Sequence, residues 1–482
     1  MTTMKRRTLR LAVACGLLGT ASSVFALDGV VGPDNCDEAG LTDVLGSVDA
    51  SGGGTVTFDC GTATIVFSTW KTIDHAVVID GGGTITFDGG GASLLLRIND
   101  TGDVTLRGLT LTHSPGAIYS TGSLTLSDDT VTENSGSPVN SRAALHVLRS
   151  VFSGNVSNIS SGGAIQSSVG PLLIEDSVFD SNTSNDSGAV FIDAQTSDAR
   201  IDRSVFTSNG ANNAGAIGTW APTTVVRGSR FENNHADFHS GGAIWAAGGM
   251  LTVEDSSFVG NSATQTFGAG GAIDCLTGTL QISGSTFSGN EAGLNGGGAI
   301  RNACALEVTN VTMTGNSTQG AGGAIAIYSS ASLESSIAFA TIDANSATLG
   351  AGIFNGGSVP APLHVGRSIV SANGDSNCGG SMIVSDGYNL SDDDACATSF
   401  TAPGDVLDAN LPLQPLDDYG GPTPTQPPAE DNAAIDHVPA SVCAPFVDQR
   451  GAPRPFGAGC DAGAVEAGSP PGDTIFRDGF DG

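Results

Sequence analysis

Between Thr55 and Phe400, apolar and polar residues alternate in stretches of three to five positions. Leu172-Leu-Ile-Glu-Asp-Ser-Val-Phe179 and Leu280-Gln-Ile-Ser-Gly-Ser-Thr-Phe287 are examples, and Gly, Asn or Ser breaks each stretch. A two-residue period interrupted in this way predicts short β-strands joined by turns, with no helical period inside the pattern.

The pattern recurs in phase. Val131-Thr-Glu-Asn134, Phe152-Ser-Gly-Asn155, Phe179-Asp-Ser-Asn182, Phe206-Thr-Ser-Asn209, Phe231-Glu-Asn-Asn234, Phe258-Val-Gly-Asn261, Phe287-Ser-Gly-Asn290, Met313-Thr-Gly-Asn316, Ile342-Asp-Ala-Asn345 and Val370-Ser-Ala-Asn373 place an asparagine every 21 to 29 residues. Between them runs a second motif: Gly162-Gly-Ala-Ile165, Ser187-Gly-Ala-Val190, Ala214-Gly-Ala-Ile217, Gly241-Gly-Ala-Ile244, Gly270-Gly-Ala-Ile273, Gly297-Gly-Ala-Ile300, Gly322-Gly-Ala-Ile325 and Gly350-Ala-Gly-Ile353. A unit this short cannot bury its own apolar face and must stack on its neighbours. The predicted fold is all-β: a single-stranded, right-handed parallel β-helix, the pectin-lyase-like solenoid, of about twelve coils rising about 4.8 Å each. The phased phenylalanines should form an internal stack. The asparagine suits a left-handed turn and can bond its amide to the next coil, and the glycines allow close backbone approach.

Both open ends of the solenoid should be covered. Leu41, Val44, Leu45 and Val48 fall on one face of a predicted capping helix. At the other end the repeats stop, Pro and Cys become frequent, and residues 374–467 should supply the last coils and a cap. The expected organisation is an export signal at 1–26, an N-terminal cap at 27–54, β-helix repeats at 55–373, the C-terminal coils and cap at 374–467, and a linker and tail at 468–482.

The export signal is read from Lys5, Arg6, Arg7 and Arg10, the apolar run Leu11 to Leu18, and the small-residue site Val24-Phe25-Ala26. Arg6-Arg7 is a poor twin-arginine match and the residues before Cys15 a poor lipoprotein box, so Sec export, to the medium or to the outer surface of a Gram-negative cell, is the reading. No later apolar run reaches the length that spans a bilayer. Without the signal, 14 basic residues face 49 acidic ones, a net charge of −35. Such a chain is not a nucleic-acid binder, and its field repels anionic lipids and acidic polysaccharides. Eight cysteines remain, an even number that suits an oxidising compartment. Their spacing predicts four local disulfides: Cys36 with Cys60, Cys275 with Cys304, Cys378 with Cys396, and Cys443 with Cys460. No close CxxC pair or His/Cys cluster points to zinc.

Candidate chemistry is sparse. Ile73-Asp74-His75 superficially matches a lyase motif but lacks its Trp and reads as a turn. Asp176, Asp202 and Asp255 precede the repeat Phe by three or four residues, as expected of solvated outward positions rather than of paired carboxylates. Asp392-Asp-Asp394 is the one place where Ca2+ is considered, without the spaced ligands of a calcium loop. There is no HExxH and no Gly-x-Ser-x-Gly. No catalytic residue and no cofactor is assigned.

The paired repeat motifs over residues 131–373 resemble those of chlamydial polymorphic outer membrane proteins, which implies an adhesive surface protein. The about 110 residues that follow the repeats contain no series of amphipathic strands for a translocator barrel. The C-terminal region is similar to the bacterial β-helix proteins with a "choice-of-anchor" region. It carries Leu413-Gln-Pro-Leu416, Gly420-Gly-Pro-Thr-Pro-Thr425, Ala433-Ala-Ile-Asp436, Asp448-Gln-Arg-Gly451, Arg454-Pro455 and Cys460-Asp-Ala-Gly-Ala-Val-Glu466, with Gln426 where such proteins often have His. That resemblance implies a surface location and no particular reaction. The ending Asp473-Thr-Ile-Phe-Arg-Asp-Gly-Phe-Asp-Gly482 resembles tails of exported Gram-negative proteins, which implies a sorting or anchoring tag, and a disordered terminus is the alternative reading. The expected function is that of a monomeric, non-catalytic adhesin or glycan-binding scaffold, with glycans or cell-surface molecules as partners. The alternative is a polysaccharide lyase or hydrolase whose site is assembled from separate coils.

Overall fold

The computed structural model describes residues 26–158, 161–238, 240–328, 333–357 and 361–472. Residues 1–25, which hold all but the last residue of the expected export signal, and the tail from Asp473 lie outside the described residues. The strands stack as a parallel β-solenoid. One sheet holds thirteen strands, from Lys71–Ile73 to Cys378–Gly380, with one strand per turn. Thirteen strands about 4.8 Å apart make the solenoid about 60 Å long. A sheet of seven short strands, from Val156–Ser157 to Ser317–Thr318, forms another side. The third sheet has 25 strands because it comprises two faces meeting at a bend. Long strands such as Ala76–Asp88 and Ala305–Thr314 run through that bend, whereas the middle turns break it into pairs such as Leu172–Glu175 and Val178–Asp180.

The register explains the phased phenylalanines. Phe152, Phe179, Phe206, Phe231, Phe258 and Phe287 are direct partners on successive strands. Their rings stack with centroids 4.7–4.8 Å apart and planes within 7° of parallel. All six are sealed from solvent, so each contributes about 1.5–3 kcal/mol by burial. The column continues as Leu111 and Val131 on one side and Met313, Ile342 and Val370 on the other.

Beside it runs an amide ladder. From Asn134 to Asn345, each asparagine donates from Nδ2 to the Oδ1 of the asparagine one turn on, at 2.8–3.0 Å. The same Oδ1 accepts the backbone N–H of the previous asparagine, and Nδ2 also donates to the backbone carbonyl of a residue on the preceding turn, as Asn209 does to Phe179. The sequence reading is corrected here. The left-handed residue is the one before each asparagine: Glu133, Ser181, Ser208, Asn233, Ala344 and Ala372 have φ between 51° and 55°, and Gly154, Gly260, Gly289 and Gly315 fill the other four positions. The asparagine is required for its two-sided amide, not for its backbone.

A parallel ladder lines the bend. The backbone N–H of Ser150, Ser177, Ser204, Ser229 and Ser256 donates to the hydroxyl of the next serine in the series, which ends at Ser285. At the N-terminal end Asp129 takes this place, accepting the N–H of Leu109 at 2.8 Å and of Ser127 at 3.1 Å. Burial pushes its carboxyl up to about 7 despite those donors, and Asp128 and Asp80 add to the rise. The folded state thus holds a proton that an unfolded carboxyl releases near pH 4. Asp129 costs least below about pH 4, its cost grows between about pH 4 and 7, and it is fully present above 7. Asp129→Ser, which extends the serine series, should stabilise the protein by on the order of 2 kcal/mol at pH 8, with the gain vanishing toward pH 4. Denaturant midpoints of both proteins at the two pH values check this, and a gain of equal size at both would contradict it.

The glycine directly before the motif alanine is fixed by backbone approach. A Cβ on Gly215 would lie 1.9 Å from the carbonyl oxygen of Gly242, and the same clash recurs at Gly188, Gly242 and Gly271 at 2.0–2.1 Å.

The N-terminal end is closed by the helix Glu38–Ala50, which is capped by Asp37 accepting from the N–H of Gly40 and buries Leu41, Leu45 and Val48. Glu38 ties the helix to the first turns through Lys71 Nζ at 2.6 Å and the N–H groups of Ser68 and Thr69. Disulfides join Cys36 to Cys60, Cys275 to Cys304, Cys378 to Cys396 and Cys443 to Cys460.

The C-terminal region does two things. Strands Ile383–Gly387 and Leu390–Ser391 extend the solenoid past the last repeat, and Phe400 is buried in the main core. From about residue 410 the chain turns back along the outside of the bend as a strap. It reaches four successive turns: Thr423 Oγ1 donates to Gly284 O at 2.9 Å, Asn310 Nδ2 to Val447 O at 3.0 Å, the Ala464 N–H to Thr341 Oγ1 at 3.0 Å, and the Gly463 N–H to Arg367 O at 2.9 Å. A second small core forms beneath it from Phe339, Ile369, Leu390, Leu411, Ala434, Val438 and Ala462.

Candidate ligand-binding face

In the thirteen-stranded sheet the middle residue of each three-residue strand points outward. Phe191, Trp245, Arg301 and Phe354 are half-buried there between fully buried neighbours. Gly218 occupies one rung, and Trp220 folds its ring back over it, within 3.3 Å of where a Cβ would be. The ring of Trp220 therefore lies between its neighbours, with centroids 4.9 Å from Phe191 and 4.8 Å from Trp245. Tyr328, two residues after the small rung residue Ala326, is likewise 5.7 Å from Phe354, and the Arg301 guanidinium is 6.0 Å from its centroid. Successive rungs thus read Phe191, Trp220, Trp245, Asp274, Arg301, Tyr328 and Phe354. Seven rungs at about 4.8 Å span about 29 Å.

At the centre Arg301 Nη1 donates to Asp274 Oδ1 at 3.0 Å. The Asp274 side chain is 0% exposed and that of Arg301 23%. Burial raises the Asp274 carboxyl above the usual range, while Arg301 and Ser240 pull the other way. Asp274 Oδ2, Arg301 Nε and Trp245 Nε1 are buried and have no hydrogen-bond partner. The Cys275–Cys304 disulfide ties together the two turns that carry this pair. Turns leading into the sheet add exposed Phe267, Leu294 and Leu349, which are 63%, 52% and 58% exposed.

A different surface carries carboxylates. On the face of the long sheet before the bend, an open trough of about 500 Å³ is lined by Glu307, Glu334, His364 and Asp386 together with Thr279 and Ser336. His364 Nδ1 is 2.9 Å from Asp386 Oδ1, and Gln281 donates to Glu307 at 3.0 Å. The neighbouring Glu254 is held by Arg227 Nε at 2.7 Å.

The residues singled out in the sequence are otherwise spread apart. Asp74 and His75 form the bend after strand Lys71–Ile73, where Asp74 accepts from Asn99 Nδ2 at 2.6 Å and the His75 N–H donates to Asp49 at 2.9 Å. Asp176 and Asp255 stand on left-handed bend positions, and Arg203 Nε donates to Asp176 at 2.7 Å. Asp202 departs from the solvated position expected of it. Its register partners are Glu175 and Arg227, and it is 1% exposed because Arg200, whose Nε lies 2.5 Å away, folds across it. Asp392 and Asp393 end the amide ladder: Asn373 bonds to Asn377 Oδ1, Asn377 Nδ2 donates to Asp392 at 2.8 Å, and the Asn377 N–H donates to Asp393 at 2.9 Å. Every ladder asparagine directs its backbone N–H and one of its Nδ2 protons toward this end, so a carboxylate meets the last donors, as it does at a helix N-terminus. Among the described residues, no group of three or more His, Cys, Asp or Glu side chains gathers as a metal site.

The C-terminal motif residues build the strap. Asp448 accepts from Arg450 Nε at 3.0 Å and from the Glu466 N–H at 2.9 Å, and Arg454 donates to the carbonyls of Asp461 and Gly463 at 2.8 Å. Arg454 lies 4.4 Å from the centroid of the Phe339 ring. Burial pushes its guanidinium down to about 10, against the pull of Glu466, Asp448 and Asp461.

The aromatic rungs escaped the sequence reading, although their signal was present: they follow the Gly-Gly-Ala-Ile motif directly, as Phe191, Trp245 and Phe354 do, or two residues later, as Trp220 and Tyr328 do. No family model matches the chain, and no curated protein matches it either. Among the described residues no helix is long and apolar enough to cross a membrane.

Proposed function

We propose that this chain is an exported, non-catalytic surface or secreted protein that acts as a glycan-binding scaffold or adhesin, as a monomer and without a metal or cofactor. The observation that carries this reading is the row of aromatic side chains on the outer face of the thirteen-stranded sheet. The rings form a half-buried strip whose planes differ, Trp220 lying 38° from Phe191 and 84° from Trp245, so the strip offers both ring faces and ring edges on which the C–H groups of a sugar can pack. A rigid solenoid with a long regular face suits contact rather than turnover. The four disulfides fit an oxidising compartment, and the buried roles of Asp448, Arg450, Arg454 and Glu466 explain the C-terminal resemblance as architecture.

The trough around Glu307, His364 and Asp386 favours one alternative, a polysaccharide lyase or hydrolase. Incubating the mature protein with a panel of polysaccharides, with and without calcium, separates the two. Retention on one or more of them without new reducing ends or unsaturated products is expected. Product formation that Glu307→Gln or Asp386→Asn abolishes would replace the scaffold reading with the enzyme.

A further inference from the structure

The aromatic row is interrupted at its centre by a charge pair, and this limits what can lie on it. We infer that the face takes a neutral, unbranched glycan laid along the solenoid axis and centred on Asp274 and Arg301, an inference that rests on the glycan-binding reading above.

Three observations carry it. The first is spacing and width. Trp220 sits 4.9 Å from Phe191 and 4.8 Å from Trp245, close to the length of one pyranose residue, and the row is a single side chain wide. A linear chain can keep one sugar residue beside each rung, packing on ring faces and edges in turn, whereas a branch would leave the row. The second is charge. Arg301 is the cation within the row, and Asp274 at 3.0 Å already neutralises it. The mature chain's net charge of −35 opposes a polyanion approaching from solution. Within these seven rungs a uronate has no unpaired cation to bind, and the exposed Arg97 on the same sheet lies four rungs before Phe191. The third is unused hydrogen-bonding capacity. Asp274 Oδ2, Arg301 Nε and Trp245 Nε1 are three of the twelve buried side-chain polar atoms without a partner among the described residues, and they lie on three consecutive rungs. Unmet buried polar groups are costly. A hydroxyl of a neutral sugar over Trp245 and Arg301 can accept from Arg301, while Asp274, whose side chain is 0% exposed, stays beneath as its counter-ion. Arg301, being partly exposed, is the side chain that can rotate to meet it.

The test uses the protein's own fluorescence, because Trp220 and Trp245 are two of its three tryptophans. Neutral linear hexasaccharides with β-1,4-linked glucose, xylose or mannose and an oligogalacturonate of equal length are titrated into the mature protein at physiological salt. At least one neutral oligomer should shift the emission and bind more tightly with length up to about six residues, and the oligogalacturonate should not bind. Trp245→Ala should weaken binding at least about tenfold, while Trp245→Phe keeps most of it. Arg301→Met should weaken binding with the stacking rungs intact, and circular dichroism checks the fold of each variant. Tighter binding of the oligogalacturonate, or neutral binding that neither Trp245→Ala nor Arg301→Met changes, overturns the inference and leaves glycan binding standing. Failure of every polysaccharide in the earlier panel to be retained overturns both.

Discussion

Asn209→Ala should destabilise the protein by about 3 to 6 kcal/mol, although the side chain makes no contact with solvent or ligand. The substitution takes the shared acceptor from two buried donors, the N–H of Asn182 and one of the two Nδ2 protons of Asn182, whose other proton still reaches the Phe152 carbonyl, and it takes the Asn209 Nδ2 donor at 2.9 Å from the Phe179 carbonyl. Each orphaned group costs about 1–3 kcal/mol. The sum is a large part of the stability of an ordinary domain. A shift in the denaturant midpoint measures it, and a change below about 1 kcal/mol would show that water replaces the amide freely. Asn209→Asp gives a second readout. Its carboxylate would face Asn234 Oδ1 and the Phe179 carbonyl with no proton to offer, so burial and lone-pair repulsion raise its pKa in the folded state. The deficit relative to wild type should be largest above that raised pKa and shrink as the pH falls toward 4.

Arg454→Ala should release the strap and leave the solenoid folded. The guanidinium is 0% exposed, donates to two strap carbonyls, lies 3.6 Å from Glu466 and packs over Phe339, which belongs to the solenoid. Removing one member of a buried pair costs about 3–5 kcal/mol, because the partner stays buried and unpaired. That loss falls on the segment from about residue 410, which has little regular structure and is held by contacts to four turns. Limited proteolysis with mass spectrometry should show cleavage between 410 and 472 while far-ultraviolet circular dichroism keeps its β signal. Strap and solenoid unfolding together at an unchanged denaturant concentration would refute the separation.

The sequence made the solenoid legible because repetition amplifies weak local signals. One apolar residue three positions before an Asn proves little, but ten in phase, six of them Phe, fix which side of each strand faces inward. The capping helix was readable for the same reason, since Leu41, Leu45 and Val48 share a face. What escaped was whatever depends on neighbouring turns. The left-handed residue was assigned to the asparagine because asparagine tolerates that backbone, yet Ser208 and Ala372 adopt it with φ of 54° and 51°. Stacking on both sides outweighs the local preference. Asp202 looked solvated because nothing in its own strand reveals Arg200 folded over it. The strap left a trace that becomes readable only with the register known. The outward residue before the repeat apolar position is Val178, Val205, Arg230 or Ser257 where that face is open, and Thr286, Thr312, Thr341 or Ile369, all buried, where the strap covers it. The aromatic face was hidden by a different cause: Trp220 and Tyr328 reach their rungs from two residues downstream, so no fixed offset from the motif finds all five rings.

The division of labour along the axis has a consequence for how such a protein can change over generations. The helix occupies one end, and the strap is confined to the last turns. The turns between Asn155 and Asn261 share one register and touch neither. A whole repeat can be duplicated or deleted there with every buried amide finding a new partner of the same kind, and turns of 25 and 27 residues already coexist in that stretch. The outer face then lengthens or shortens in steps of about 4.8 Å. Its reach is a heritable length set by copy number, while point substitutions on the rungs are left to set what it holds.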